Sequence, residues 1–147
     1  MEEGCGLLKV VVARGRNLAV RDFTSSDPYV IVRVAHMEVF DWDRFKYDDK
    51  MGHAFLDLQP VAAATKLRRA LRLTAGETKL RKVVPDADNC LLSDSFVMYN
   101  DGEISLDARL RLRDVESGEL FVTVKWIEAD NAKVTLTYPQ HDVAPIN

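Results

Sequence analysis

The sequence predicts a mainly β protein, an antiparallel β-sandwich with one inserted helix. Short apolar runs rich in β-branched residues are separated by polar turn segments, which is typical of strands. Residues 104–113 alternate between apolar and polar or charged side chains, and this period of two indicates a half-buried antiparallel strand. No strand–helix–strand alternation is present, so a parallel α/β fold is not indicated.

The predicted strands follow in order along the chain. Residues 7–13 are the first, and they end at a polar Arg-Gly-Arg-Asn segment. A long apolar run over residues 27–43 has no internal turn signal. Residues 43–52 are polar and turn-like, and residues 53–59 form a short strand candidate. Residues 104–113 and 120–127, joined by the turn DVESGE, predict a hairpin.

The middle and the end of the chain have a different character. Residues 61–73 are rich in Ala, Leu, Lys and Arg after Pro60 and predict a helix, with Leu67 on its apolar face. Residues 79–84 predict a basic edge strand, and residues 85–94 a loop. The tail, residues 129–147, has weak periodicity and two prolines, so we expect it to be loosely ordered.

Length and charge narrow the function classes. The 147 residues suit one domain, and the formal net charge of −3 implies no global attraction to nucleic acid or to anionic membrane. No apolar run approaches the roughly 20 residues of a membrane span, and the acidic N-terminus does not resemble a signal peptide. The 2 cysteines form no CxxC pair, which favours reduced thiols in an intracellular protein.

Aspartates cluster in two loops that flank apolar strands. Asp22 and Asp27 lie in the first loop, and Asp41, Asp43, Asp48 and Asp49 lie in the second. If both loops lie at one end of a sandwich, these carboxylates repel each other unless a cation neutralises them. Calcium typically takes about 6–8 oxygen ligands from such loops. The alternative is that they are ordinary solvated turn residues. Zinc, EF-hand, nucleotide-binding and catalytic motifs are not present, which disfavours an enzyme.

The same loops carry large apolar side chains beside the aspartates. The candidate membrane-contact residues are Phe23, Trp42, Phe45, Lys46 and Tyr47. Exposed aromatic rings with neighbouring lysines suit a membrane interface with anionic lipid. The alternative is that Trp42 or Phe45 packs against the base of the loop.

A second local feature is basic. Its cationic residues are Lys66, Arg68, Arg69, Arg72, Lys79, Arg81 and Lys82. They are a candidate docking face for lipid phosphate or for a protein, and the competing interpretation is a solvated helix face. Aromatic interleaving for base stacking is missing, which argues against RNA.

Several motifs resemble those of a known family. GLLKVVVARGRNLAVRDFTSSDPYVIVRV resembles the opening of a plant C2 domain, and MEVFDWDRFKYDDKMGHAFLDLQP resembles its third calcium loop with the flanking strands. The segment from KLRKVV to VKWIEA is similar to the insertion and final hairpin of the C2-domain abscisic-acid-related proteins. The C2 modules of plant Arf GTPase-activating proteins are closely similar. The resemblance covers nearly the whole chain up to Ala129.

The resemblance implies a C2-type Greek-key sandwich over residues 1–128, with a family-specific insertion at about 61–103. It implies calcium-dependent phospholipid binding and a peripheral place at the plasma membrane, with the nucleus as a further location. Abscisic-acid receptors or a small G protein are the implied partners. The implied calcium ligands are Asp22, Asp27, Asp41, Asp43 and Asp49, with Asp48 a neighbour. The catalytic zinc finger of the Arf GTPase-activating proteins needs four cysteines and is not implied.

One departure from the family lies at residues 34–36. Between the equivalents of Val34 and His36 the family has two further strands and a loop, and this chain has only Ala35. If the chain bends at Ala35, Asp27 and Asp43 can lie at one end of the sandwich. If it continues straight, they lie roughly 50 Å apart, at about 3.3 Å per residue. Two alternative functions therefore stay open, a calcium-independent protein-interaction domain and a poorly functional splice variant.

Overall fold

In a computed structural model, the described residues are 6–19, 28–33, 36–42, 48–67, 76–128 and 143–145. They form the following elements: β1 Gly6–Arg16, β2 Pro28–Arg33, β3 His36–Asp41, β4 Asp49–Phe55, α1 Gln59–Thr65, β5 Glu77–Val83, β6 Ser95–Asn100, β7 Glu103–Arg111, β8 Glu119–Glu128 and β9 Val143–Pro145.

The strands form two antiparallel sheets. The five-stranded sheet has the order β1-β8-β7-β6-β5, and the four-stranded sheet has the order β4-β3-β2-β9. One hydrophobic core contains buried residues of both sheets, such as Val30 and Val39 from one and Leu106 and Leu110 from the other. The sheets therefore pack face to face, and the predicted mainly β antiparallel sandwich is confirmed.

The hairpin of β7 and β8 confirms the alternation seen in the sequence. Ile104, Leu106, Ala108 and Leu110 are buried, whereas the residues between them are exposed or half-buried. The two strands stay in register from Glu103 to Arg111. Full burial of each large aliphatic side chain contributes about 1.5–3 kcal/mol relative to exposure, so this hairpin supplies much of the core.

The long apolar run does not form one straight strand. It is divided into β2 and β3, which pair antiparallel from Arg33↔His36 to Pro28↔Asp41. Residues 34 and 35, which lie outside the described residues, connect the two strands. The chain therefore reverses where the sequence shows no turn residue, and the straight-strand alternative is wrong.

The strand after the second acidic loop begins earlier than predicted. β4 is Asp49–Phe55, not residues 53–59, and its polar first residues pair with the end of β3. Gly52 has φ 100°, and the register with β3 shifts at the same place. A bulge of this kind needs a residue without a Cβ. Residues 49–52 were misread as turn because a bulged strand end has a polar composition.

The inserted helix is shorter than the predicted residues 61–73. It begins at Gln59, whose N–H donates to Asp57 Oδ1 at 2.9 Å, and it ends at Thr65. The Thr65 hydroxyl donates to the Ala62 carbonyl at 2.6 Å, which is a competing local bond that weakens the helix. Leu67 is 54% exposed and does not lie on a buried face, because the helix has already ended. Residues 68–73 lie outside the described part of the chain.

The basic edge strand is confirmed as β5, at one edge of the five-stranded sheet. Its partner, β6, was not predicted from the sequence. A two-residue turn, Asp101-Gly102, joins β6 to β7, and both of its residues have positive φ (47° and 86°). Asp-Gly is a strong hairpin signal, and it could have located β6 from the sequence.

The edge of β2 that faces away from β3 is covered by the C-terminal segment. β9 pairs with β2 through Tyr29↔Pro145, Val30↔Ala144 and Ile31↔Val143. The other residues of the predicted loose tail lie outside the described ranges. Within those ranges, no helix has the length and apolar character of a bilayer-spanning segment.

Candidate functional site

Three strand ends meet at one end of the four-stranded sheet, which we call the acidic end. Asp41, the last residue of β3, lies opposite Pro28 of β2 on one side and opposite Asp49 of β4 on the other. Asp27 directly precedes Pro28 in the sequence. Antiparallel pairing therefore brings residues separated along the chain to one edge of the sheet.

Asp41 and Asp49 form a cross-strand pair of like charges. Asp41 follows Met37 and Val39 on the core-facing side of β3, and it is only 1% exposed. Directly opposed residues of antiparallel strands have their Cβ atoms about 4.5–5.5 Å apart, and like charges there destabilise the sheet. A cation bound between the two carboxylates would remove this repulsion.

Asp48 is held on the opposite face of the sheet. The Tyr29 hydroxyl donates a hydrogen bond to Asp48 Oδ2, and the Tyr29 ring stacks on Phe40 with a centroid separation of 5.5 Å. Burial first, and then the hydrogen bond to Asp48, raise the pKa of Tyr29 to about 12. This contact holds Asp48 on the face opposite to that shared by Asp41 and Asp49.

The donor chemistry at the acidic end fits calcium. Asp41 and Asp49 offer hard oxygen atoms and lie together, which is what a calcium site needs from its loops. The other three predicted ligands, Asp22, Asp27 and Asp43, lie outside the described residues. Among the residues that the structure describes, no group of three side chains that could bind a metal ion is found. The structure thus brings together two members of the predicted set.

Of the predicted membrane-contact residues, the structure describes Trp42. It follows Asp41 directly and is 51% exposed, so it does not pack into the base of the loop. A large apolar ring is therefore accessible to solvent beside the acidic end. Phe23, Phe45, Lys46 and Tyr47 lie outside the described residues.

The candidate basic docking face is only partly described. Lys79, Arg81 and Lys82 are exposed on β5. The Lys79 ammonium lies 4.5 Å from the centroid of the Phe96 ring, and the Lys82 ammonium lies 3.1 Å from Asp94 Oδ2. Arg68, Arg69 and Arg72 lie outside the described residues. Lys66, after α1, is also described and exposed. Two of the four described cations, Lys79 and Lys82, thus contact other residues of the chain.

Tyr29 was not predicted from the sequence to be part of the acidic end. The sequence signal for this role is weak, because an aromatic residue on the outer face of a strand is common. Tyr29 and Asp48 are 19 residues apart, and only the pairing of β2, β3 and β4 brings them together. A long-range contact of this kind has no local sequence pattern.

A two-sheet antiparallel sandwich with acidic loops at one end is the architecture of a C2 domain. The C2 domain family model matches residues 6–37 and 34–73. The two matched segments meet at the β2–β3 connection, which is where the sequence departs from the family pattern.

Plant proteins are similar to this chain over most of its length. Protein C2-DOMAIN ABA-RELATED 11 of Arabidopsis thaliana is 42% identical over 87% of the chain and 96% of the relative. GTPase activating protein 1 of Oryza sativa subsp. japonica is 37% identical over 87% of the chain and 95% of the relative. The chain belongs to the C2-domain family, in the plant group that contains the C2-domain ABA-related and GTPase-activating proteins.

A larger relative contains the similar region as one part. The ADP-ribosylation factor GTPase-activating protein AGD12 of Arabidopsis thaliana is 30% identical over 86% of the chain and 47% of the relative. The alignment with C2-DOMAIN ABA-RELATED 11 has 160 positions, which is more than the 147 residues of this chain. That relative therefore carries residues that this chain lacks.

Proposed function

We propose that the protein is a calcium-dependent, phospholipid-binding module that targets anionic membranes and has no catalytic activity of its own. The observation that supports this most is the pairing of Asp41 with Asp49 at the end of a C2 sandwich. Two opposed carboxylates repel each other, and a cation bound between them would remove this repulsion.

The residues of the acidic end would act in two ways. Asp41 and Asp49 would hold calcium, together with Asp22, Asp27 and Asp43 from the flanking loops. Bound calcium makes the local charge favourable for anionic headgroups. Trp42, which is exposed beside the site, would enter the headgroup region with Phe23, Phe45 and Tyr47, while Lys46 meets the anionic lipid.

The cellular setting of the proposal comes from the names of the relatives. The names C2-DOMAIN ABA-RELATED and GTPase activating protein 1 support a role in abscisic-acid signalling or in GTPase regulation. The proposal places this role at the cytoplasmic face of the plasma membrane or in the nucleus. Abscisic-acid receptors and small G proteins are the partners to test. The zinc-finger catalytic part of an Arf GTPase-activating protein is not proposed for this chain, because its 2 cysteines cannot form a four-cysteine site.

Sedimentation with phosphatidylserine liposomes tests the proposal. We expect the protein to pellet with liposomes in calcium and to stay in the supernatant with chelator. Replacing both Asp41 and Asp43 by Asn should abolish the calcium-dependent fraction, because neutral amides bind calcium more weakly than carboxylates. Asp48→Asn is the matched control, since Asn can still accept the hydrogen bond from Tyr29, and it should bind like the unmodified protein.

Two results would overturn the calcium switch. One is equal pelleting with calcium and with chelator. The other is unchanged binding by the Asp41→Asn and Asp43→Asn double variant in a form that still unfolds cooperatively. Calorimetric titration with calcium in the absence of lipid shows whether a variant has lost calcium binding or has lost only its contact with the membrane.

A further inference from the structure

The long first strand lies at an edge of the five-stranded sheet. β1 pairs with β8 on one side, and no strand among the described residues pairs with its other side. An edge strand presents a row of unpaired N–H and C=O groups. Such edges bind extended peptide segments by adding them to the sheet as a further strand.

The cations of β1 all lie on one face of the sheet. β1 contains Lys9, Arg14 and Arg16 and no acidic residue. Strict alternation would turn Arg14 and Arg16 to the face opposite Lys9. The register shift between Val12 and Arg14 reverses the alternation, so all three cations share the outer face. Their partners across β8 are Lys125, Phe121 and Glu119, which alternate with the buried Val124, Val122 and Leu120.

The nearby acids are already engaged with other bases. Glu119 accepts two hydrogen bonds of 2.9 Å from Arg109, and Glu103 lies 3.0 Å from the Lys125 ammonium. The Arg14 guanidinium instead lies over the Phe121 ring, 4.1 Å from its centroid. Stacking of this kind leaves the guanidinium edge able to donate hydrogen bonds.

We propose that the outer edge of β1 binds an extended acidic segment of a partner protein by strand addition. The segment would carry acidic side chains at alternate positions, on the face that meets Lys9, Arg14 and Arg16. Main-chain hydrogen bonds to the edge would supply affinity, and the three cations would supply selection for acidic sequences. Leu7, 53% exposed near the start of the strand, adds an apolar contact.

The charges of β1 favour an acidic segment over two other possible occupants of this edge. A second copy of β1 would place its own cations along the same edge, and like charges across a strand pair are destabilising. An anionic membrane would meet the cations but would leave the N–H and C=O groups of the edge without partners, which is costly next to lipid. An acidic strand satisfies both the charges and the main chain.

Fluorescence anisotropy with labelled synthetic peptides tests the proposal, in chelator so that the calcium site plays no part. The probe is a peptide of ten residues with alternating Val and Glu. The first control has Lys in place of Glu. The second keeps Val and Glu but carries an N-methyl group on every backbone nitrogen, which removes the N–H donors of both edges while the charges stay. We expect binding of the probe, with either control at least tenfold weaker.

Protein variants locate the binding edge. Replacing Arg14 and Arg16 by Glu should weaken binding of the probe by roughly tenfold or more, because two attractive charges become repulsive. Lys9→Glu is a milder second variant in case the double variant unfolds. Arg81→Glu, on the other edge of the same sheet, is the matched control and should leave affinity unchanged.

Four outcomes would overturn the proposal. The first is that the N-methylated peptide binds as well as the probe. The second is that Arg81→Glu weakens binding as much as Lys9→Glu does. In the third, sedimentation shows that the chain self-associates through β1 and does not bind the probe. In the fourth, phosphatidylserine vesicles without calcium bind through the β1 cations and the probe does not. Because every arm contains chelator, failure here leaves the proposed calcium function untouched.

Discussion

On the outer face of the five-stranded sheet, two acid–base pairs contact each other diagonally across β7 and β8. At the acidic end of the four-stranded sheet, two aspartates lie directly opposite each other. Arg109 donates two hydrogen bonds to Glu119, and Lys125 lies beside Glu103. Asp41 instead lies opposite Asp49. Both arrangements arise from the same antiparallel pairing.

The difference is between acid–base pairs, which stabilise the folded protein, and a like-charge pair, which a bound cation would stabilise. Matched cross-strand pairs stabilise a sheet in the free protein. Two opposed carboxylates repel each other, and a bound cation removes that repulsion. These two acid–base pairs of the five-stranded sheet need no ligand, whereas the proposed role of the opposed aspartates depends on a bound cation.

The largest expected effect concerns how much the β7–β8 hairpin of the five-stranded sheet contributes to the stability of the fold. Leu106 is fully buried in the core between the sheets. Leu106→Ala should lower the free energy of unfolding by about 2–5 kcal/mol, because a cavity replaces packed methyl groups. Chemical denaturation measures it, with Leu92→Ala, at an exposed position, as the control. Equal losses for both variants would contradict the assigned core.

The second prediction concerns the place where the two sheets are joined. A Cβ at Gly52 would lie 2.5 Å from Val115 Cγ1 and 2.9 Å from the Arg113 carbonyl oxygen, at a φ of +100°. Gly52→Ala should therefore cost about 1–3 kcal/mol of unfolding free energy. Gly76→Ala, with positive φ and no atom within 4 Å, isolates the backbone contribution. A smaller loss at Gly52 than at Gly76 would exclude the steric contact.

The third prediction breaks the like-charge pair and depends on the proposed calcium site. Without calcium, Asp49→Asn should raise the free energy of unfolding by up to about 1 kcal/mol and with it the midpoint of thermal unfolding, because it removes the repulsion from Asp41. Calcium should stabilise the unmodified protein by mass action and the variant much less. Differential scanning fluorimetry with calcium or chelator measures both. A variant that is less stable without calcium and equally responsive to it would contradict this account.

The smallest effect concerns a matched pair on the five-stranded sheet. The hydrogen bonds from Arg109 hold the pKa of Glu119 below its usual value. The stabilisation from this carboxylate is therefore present above its unfolded-state pKa and is lost as the pH falls through the lower folded-state value. Thermal melts of Glu119→Gln and the unmodified protein should differ at neutral pH and converge in acid. High salt should reduce the neutral-pH difference, because the pair is exposed.

A strand or helix can be predicted from the sequence when its pattern lies in residues that are close together in the chain. The alternation over residues 104–113 predicted β7 correctly, because side-chain direction along a strand follows from backbone geometry. The helix was recognised from composition, but composition did not show that it ends at Thr65. β6 was missed although its Asp-Gly turn was visible. β9, with three residues, is too short to show any period.

The candidate site shows the same division. Aspartates next to apolar strands indicated a cation site from the sequence, and Asp41 and Asp49 were both named. That these two lie opposite each other could not be predicted, because it depends on the reversal of the chain between Arg33 and His36. The residues of that connection, Val-Ala, carry no turn preference that would have predicted it.

By itself the sequence determined the antiparallel class, the β7–β8 hairpin and the two acidic segments, since each depends on residues close together in the chain. Only the tertiary structure decided which strands are neighbours. It brought Asp41 to Asp49, Tyr29 to Asp48, and the C-terminal segment to β2. Strand partners are chosen by burial of the whole core and by hydrogen bonding between distant segments, and no short stretch of sequence contains that information.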